Sequence, residues 1–407
     1  MQRMKDIVIL IFALGVLGLL VKLKINIGIA IFVSAFAILL PSGVADFKVI
    51  LKASGLTVVN KETLYLIAIV VTITYFAELL KVSGFLEEMV DSFSSFFSPR
   101  VFIPLFAFII GALPMPGGAL VSAPLVEKGS EYSNLDNAEK TAINFWFRHI
   151  WEPTSPLYPE MILASSILGI TILKIIEIQW IYSFLMFIAG AVFLLPLIKS
   201  KPGTEKIHKQ RSGKNVLLST LPILIVIISI LILKISIVLS GLIGILYISL
   251  VKKIKLSEFK KALKVKLLLK LAFLMYSIMF LKYVVRISGV ITGVYSYLNA
   301  VNVPQFVILF SLPFIVSLMS GAASATIGVS YPLLLPLLKT PELNSVNLLI
   351  AFLGGWSALM LTPTHLCLSL SIEYFEAKPG KVYMLLAKTV IFLVVFSIIY
   401  IALVKMF

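Results

Sequence analysis

The chain has 407 residues, 60% of them hydrophobic and only 13% charged, with a mean hydropathy of +1.06. A soluble domain is about half apolar and about a quarter charged, so a soluble globular fold is excluded and an all-α polytopic membrane protein, surrounded by the lipid bilayer, is expected. The formal charge of +16 does not indicate a nucleic-acid partner. It is concentrated in two loops, six Lys/Arg in 199–214 and eight Lys in 252–270, and basic loops beside spans mark the cytoplasmic face.

In chain order, Arg3 and Lys5 precede an apolar run ending at Leu20-Val21-Lys22. No small-x-small cleavage pattern follows, so a retained first span is expected rather than a secretory signal. Crossing hydrocarbon takes about 20 apolar residues. Runs of that order predict first-half spans near 5–22, 26–42, 62–81, 142–172 and 176–198, and second-half spans near 216–233, 235–251, 267–286, 345–372 and 383–405. Between the third and fourth spans of each half lie a moderately polar stretch (82–98 and 287–302) and an interrupted apolar segment (100–128 and 304–339).

The predicted organisation is a first repeat at 1–198, a basic cytoplasmic linker at 199–215 and a second repeat at 216–407. Short matches in shared order support it. Val82–Phe85 against Ile287–Val290 gives an offset of 205, Gly117–Ala119 against Gly321–Ala323 gives 204, and Pro153-Thr154 against Pro363-Thr364 gives 210. Five crossings per half is odd, so the second repeat is expected inverted, with both termini extracytoplasmic.

The first interruption reads Gly111-Ala-Leu-Pro-Met-Pro-Gly-Gly-Ala119. Pro114 and Pro116 remove donors and the glycine pair loosens the backbone, so a helix cannot continue there. Bilayers tolerate such backbone only where protein or a water-filled cavity surrounds it, and paired breaks point to a transporter's binding site. A re-entrant hairpin is expected, with Pro116, Gly117, Gly118 and Ala119 facing substrate and helix-end N–H groups favouring an anion. A packing kink with small residues for close helix contact is the alternative. The second interruption, Ser320–Gly328, adds hydroxyls at Ser320, Ser324, Thr326 and Ser330. Hydroxyl and carbonyl oxygens at a broken helix suit a sodium ion; Ser/Thr at a helix–helix contact is the alternative.

The fourth span carries Phe147-Arg148-His149-Ile150-Trp151-Glu152-Pro153-Thr154-Ser155-Pro156. Intramembrane charges are expensive. Arg148 is four residues from Glu152, placing both on one helix face; it alternatively grips a substrate carboxylate, or marks the end of the span. Pro153 and Pro156 should break this helix and free the Thr154 and Ser155 hydroxyls. The partner span repeats the break at Leu361-Thr362-Pro363-Thr364-His365. The substrate candidates are thus Arg148, Thr154, Ser155, Ser320, Gly321, Ser324, Thr362 and Thr364 beside the first tip. His149, Glu152, Thr326 and His365 are the candidates for coupling.

No phosphate-binding Gly-rich loop, His-Glu-x-x-His or serine elbow occurs, so neither an ATP-driven pump nor an enzyme is expected. His149, His208 and His365 are scattered and give no zinc pattern, and Cys367 is the single cysteine, which leaves no intrachain disulfide. The function read from these residues is secondary active transport, coupled to either H+ or Na+, with no cofactor; a small organic anion is the expected cargo, largely by family resemblance. The alternatives are a cation/proton antiporter without organic substrate, a membrane-embedded lipid-head-group enzyme, and a scaffold subunit.

The Pro-x-Pro-Gly-Gly tip, the Pro-Thr-Ser-Pro break and the doubled hairpins resemble the ion transporter superfamily of gluconate, citrate, dicarboxylate and arsenite carriers. They look nearest to an uncharacterised family of prokaryotic ten-span proteins of similar length. The architecture covers nearly the whole chain and the motifs about 108–170 and 306–372. The resemblance implies a prokaryotic inner-membrane homodimer with scaffold and transport regions, two re-entrant hairpins and elevator-like alternating access. Its substrate sites map to 116–119 with 153–155, and to 320–326 with 362–364. The Ser-Asn-Thr signature of sodium-coupled dicarboxylate carriers is missing from both tips, and the proline-rich first tip is more like gluconate permeases, which favours proton coupling.

Overall fold

A computed structural model describes residues 2–44, 46–85, 88–89, 92, 97–114, 118–131, 133–199, 213–339 and 342–406. Among these the regular structure is helical, apart from one isolated bridge between Lys339 and Leu343. The first half runs α1 (Gln2–Lys22), α2 (Ile27–Leu39), α3 (Phe47–Val59), α4 (Lys61–Val82), α5 (Pro99–Gly111), α6 (Ala119–Ser130), α7 (Asn137–Arg148), α8 (Pro159–Leu168) and α9 (Ile172–Phe193). The second runs α10 (Gly213–Leu231), α11 (Ile237–Lys252), α12 (Leu256–Ala262), α13 (Val265–Ser288), α14 (Val290–Ala300), α15 (Gln305–Ser320), α16 (Ala323–Leu338), α17 (Ser345–Leu359), α18 (Leu366–Tyr374) and α19 (Pro379–Met406).

Among the described residues, four stretches, 61–82, 172–197, 265–288 and 379–405, are long and apolar enough to cross a membrane. The runs read as single spans at 142–172 and 345–372 are each two short helices, α7 with α8 and α17 with α18. Two short helices, α3 and α12, fill stretches that hydropathy left as connections. Most of the basic linker, His208 included, lies outside the described residues.

The break after α7 has a local cause. Asp136 caps the helix, accepting from the Ala138 and Glu139 N–H groups at 2.9 and 3.0 Å, while the Glu139 carboxylate accepts from the Asp136 N–H at 3.0 Å. This capping box fixes where α7 starts. Burial pushes the Asp136 carboxyl up, but the Lys381 ammonium and these N–H donors outweigh it and hold the group below the usual carboxylate range. At the other end, Pro153 and Pro156 deny the next turns their donors, and α8 begins only at Pro159, where a missing N–H costs nothing.

Packing then crosses the two halves over. The hairpin arms α5 and α6 lie against each other and against α7, and α15 and α16 do the same with α17. The second arm of each hairpin also packs on the short helix that follows the other half's break, α6 on α18 and α16 on α8. Helix α9 is tied in from both sides. Trp146 Nε1 donates to the Met186 carbonyl at 2.9 Å, and the Tyr182 hydroxyl donates to the Leu349 carbonyl at 2.6 Å. On the flank, α2 packs on α13 and α4 on α11. Large apolar side chains such as Leu51, Ile232, Leu250, Leu269 and Ile391 point outward, each more than half exposed. Helices apolar on both faces have hydrocarbon or protein on each.

Candidate functional site

Arg148 is the last residue of α7 and only 3% exposed, so it does not snorkel. Its Nη1 donates to the Ile110 carbonyl at the end of α5, 3.2 Å away. Gly118 immediately precedes α6, and a Cβ there would collide with the guanidinium where it now lies, so the glycine leaves room for the charged head. The expected pairing of Arg148 with Glu152 across one helix face is corrected by the fold. The helix ends at Arg148, and Glu152 lies in the turns that follow. Its carboxylate sits 3.6 Å from His149 Nε2 instead.

The turns of the first break bury His149, Glu152, Pro153 and Ser155. Thr154 Oγ1 shares a 2.8 Å hydrogen bond with Ser183 Oγ, which itself donates to the Ile150 carbonyl at 2.6 Å. Ser155 Oγ accepts from the Leu157 N–H at 3.4 Å. Both hydroxyls are therefore engaged in holding the break. Pro116 and Gly117 lie outside the described residues; Ala119 is buried, and its carbonyl accepts from Asn144 Nδ2 at 3.3 Å.

The second break is built from hydroxyls. Thr362 Oγ1 donates to the Leu318 carbonyl at 2.8 Å and lies 2.8 Å from Thr364 Oγ1. Gly321 ends α15 with φ +61°, and a Cβ there would strike the Thr364 backbone. Only glycine meets both demands without strain. Ser320 Oγ accepts from the Ala322 N–H at 3.4 Å, and Thr326 Oγ1 donates to the Ala322 carbonyl at 3.0 Å. Ser324 is half-buried beside them. Thr364 is exposed while Thr362 and His365 are buried.

The two breaks meet. His149 and His365 stand edge to face with ring centroids 4.8 Å apart, and Phe145 packs on both. Asn144 also donates to Ser371 Oγ at 3.0 Å, which joins α7 to α18 and the first hairpin. Behind them Glu160, Ser317, Thr326 and Gly355 line a cavity of about 20 Å³, room for about one water or small ion. Ser317 Oγ there is buried without a partner.

Over residues 5–404 the chain matches the family described as protein of unknown function DUF401. The chain belongs to that family. A comparison with curated protein sequences finds no match. Among solved structures, the DUF401 chain is similar to that of the Alcanivorax borkumensis YdaH transporter, at 15% identity and a TM-score of 0.53. The match covers 83% of this chain and 85% of that one. At that identity the likeness is one of fold.

Three residues of this DUF401 chain enter the site unannounced by their sequence neighbourhoods. Glu160 sits in Tyr158-Pro159-Glu160-Met161, where a first-turn acid reads as an ordinary response to the helix dipole; its burial is what sets it apart. Asn144 lies four residues before Arg148 and Cys367 two after His365, so helical spacing from the charged motifs was the available signal.

Proposed function

We propose that this protein is a secondary active transporter of a small organic anion, a carboxylate, working by alternating access with H+ or Na+ coupling. Arg148 carries the reading. A charge at the bilayer centre costs about 2.5–3.5 kcal/mol or more, and this one is buried where a hairpin meets a broken helix. Guanidinium is the head group that grips a carboxylate with two hydrogen bonds. The fold likeness to a transporter supports the class.

In this reading both interrupted segments are re-entrant and the halves, 1–198 and 216–407, are inverted repeats within ten crossings. The basic stretches 199–214 and 252–270 face the cytoplasm of a prokaryotic cell. Gly118, Ala119, Ser320, Gly321, Ser324, Thr362 and Thr364 surround the substrate, together with Pro116 and Gly117. Thr154 and Ser155 hold the break in shape. His149, Glu152, Thr326 and His365 serve coupling, joined by Glu160. The working unit is a homodimer of the ion transporter superfamily type.

Two measurements test it. Purified protein screened against carboxylates, with and without sodium, should gain stability by mass action, about 2.7 kcal/mol at a ligand concentration of 100 Kd. The hit should then be accumulated by proteoliposomes under an imposed gradient. A folded protein stabilised by no anion and moving none sinks the proposal.

A second reading, a cation/proton antiporter without organic substrate, draws on the cavity at Glu160. A buried carboxylate beside the Ser317 and Thr326 hydroxyls suits a small cation. Sodium-dependent proton flux without any added anion would favour it.

A further inference from the structure

His149 and His365 are more than two hundred residues apart in sequence, yet the crossing of the two breaks brings them together with Cys367. One donor atom from each of the three lies within 4.8 Å of the others. Both imidazoles are oriented through Nδ1. His149 Nδ1 is 2.5 Å from the Phe145 carbonyl and His365 Nδ1 is 3.0 Å from the Leu359 carbonyl. A carbonyl only accepts, so Nδ1 bears the proton and Nε2 keeps its lone pair. This is how proteins present a histidine to a metal, with the far nitrogen fixed by a backbone oxygen.

The His149 side chain is hydrogen-bonded to the Cys367 thiol, which places the lone pair and the sulfur side by side. His149 is fully buried, with no oxygen or nitrogen donor to its Nε2. Glu152 offers a further donor, with Oε1 3.6 Å from that nitrogen and Oε2 buried and unpartnered.

We propose that His149, His365 and Cys367, completed by Glu152, form a tetrahedral site for a thiophilic metal ion of the Zn2+ type. Two nitrogens and one sulfur select zinc over magnesium or calcium, which take oxygen ligands. Zinc sits about 2.0–2.1 Å from nitrogen and about 2.3 Å from sulfur, so donors around it lie roughly 3.3–3.8 Å apart. The cluster has to close by about 1 Å, within the reach of side-chain rotation at Cys367 and Glu152. On binding, the thiol proton passes to solvent and the Cys367 thiolate forms the metal–sulfur bond. Thiolate and carboxylate together offset the charge of the dication.

The ion would join two loops, 149–158 and 360–365, that come from opposite halves of the chain. It fastens both helix breaks to each other and takes both imidazoles out of proton carriage, so an occupied site opposes movement between the breaks. This metal site does not rest on the anion reading, because its donors and orienting carbonyls are independent of any substrate.

The test uses the full chain purified in detergent and titrated with Co2+. One equivalent per chain should give the intense visible bands of a tetrahedral site together with thiolate-to-cobalt charge transfer, both erased by one equivalent of Zn2+. Cys367→Ser should lose the charge-transfer band and bind at least 10-fold more weakly, while unfolding at the wild-type temperature in chelator. His365→Gln should lose the tetrahedral bands. A readout that needs no variant is maleimide labelling of Cys367, which one equivalent of Zn2+ should slow at least 10-fold. Wild-type protein with no charge-transfer band, bands that persist in His365→Gln, or labelling that Zn2+ leaves unchanged each overturns the site.

Discussion

The two broken segments share a shape and differ in chemistry. Each follows a helix that packs on a hairpin, turns at a proline and restarts as a short helix. The first, at 148–158, holds Arg148, His149 and Glu152, all buried. The second, at 360–365, holds Thr362, Thr364 and His365 and leaves Pro363 and Thr364 exposed. Shape needs only helix-breaking residues and close backbone contact, so both halves have it. Charge in a low-dielectric interior needs partners, and the first break has them in the Ile110 carbonyl and the His149–Glu152 pair. In the proposed transporter the first break would meet the charge of the anion and the second would offer it neutral hydroxyls.

The strongest way to break that comparison is to remove charge from one side and a hydroxyl from the other. Arg148→Ala should lower anion uptake by roughly 30-fold or more, the effect of truncating one member of a buried charge pair at about 2–5 kcal/mol. Arg148→Lys should recover only part of it, because the two-pronged grip is lost. Thr364→Ala should cost at most about 5-fold, the worth of one neutral hydrogen bond near 1 kcal/mol. Equal losses from Arg148→Ala and Thr364→Ala in initial-rate assays would contradict the division of labour.

Glu160 lies between the two regions, on the short helix of the first half and in a cavity shared with the second hairpin. Glu160→Gln should reduce gradient-driven uptake about 10-fold, near 1.4 kcal/mol, and leave substrate exchange close to wild type. An equal fall in exchange would move this residue from coupling to substrate binding.

The hairpin tips offer a stability test. Gly321→Ala should destabilise by about 1–2 kcal/mol, because a left-handed conformation penalises any Cβ, and the Thr364 backbone cannot give way. Gly118→Ala should be milder in unfolding, since the atom it meets is the end of the flexible Arg148 side chain, but it should impair uptake. Thermal melts alongside transport separate the two effects.

The smallest effect is expected at the surface. Asp136→Asn removes the Lys381 ion pair and weakens the cap of α7 by roughly 0.5–1 kcal/mol. The Asp136 carboxyl is held below its usual range, so its stabilisation is complete above the unfolded pKa and is lost as pH falls through the folded one. The gap in melting temperature between wild type and Asp136→Asn should therefore be open near neutrality and close in acid. A gap that widens in acid would mean that the ion pair is not the source.

Much was legible before any coordinates. Hydropathy alone marks the apolar helices, because hydrocarbon demands long apolar runs with internally satisfied backbone. Pro153, Pro156 and Pro363 announce the breaks, since proline's missing N–H acts locally. Ser320-Gly321 announces the second turn for the same kind of reason, a backbone conformation that few residues tolerate.

What the chain's order could not reveal is everything that depends on which helix crosses which. Arg148 and Glu152 look like partners at helical spacing, but the helix stops between them, and the neighbour of Glu152 is His149. His149, His365 and Cys367 look unrelated until α7 and α18 pack side by side. Glu160 reads as a helix-start acid until α16 covers it. The sequence by itself determined the membrane class, most of the apolar helices and the places where proline or glycine interrupts them, because these follow from short-range sterics and solvent. Only the tertiary structure decided the site, because burial, pairing and ligand geometry are set by residues that the chain brings together from opposite halves.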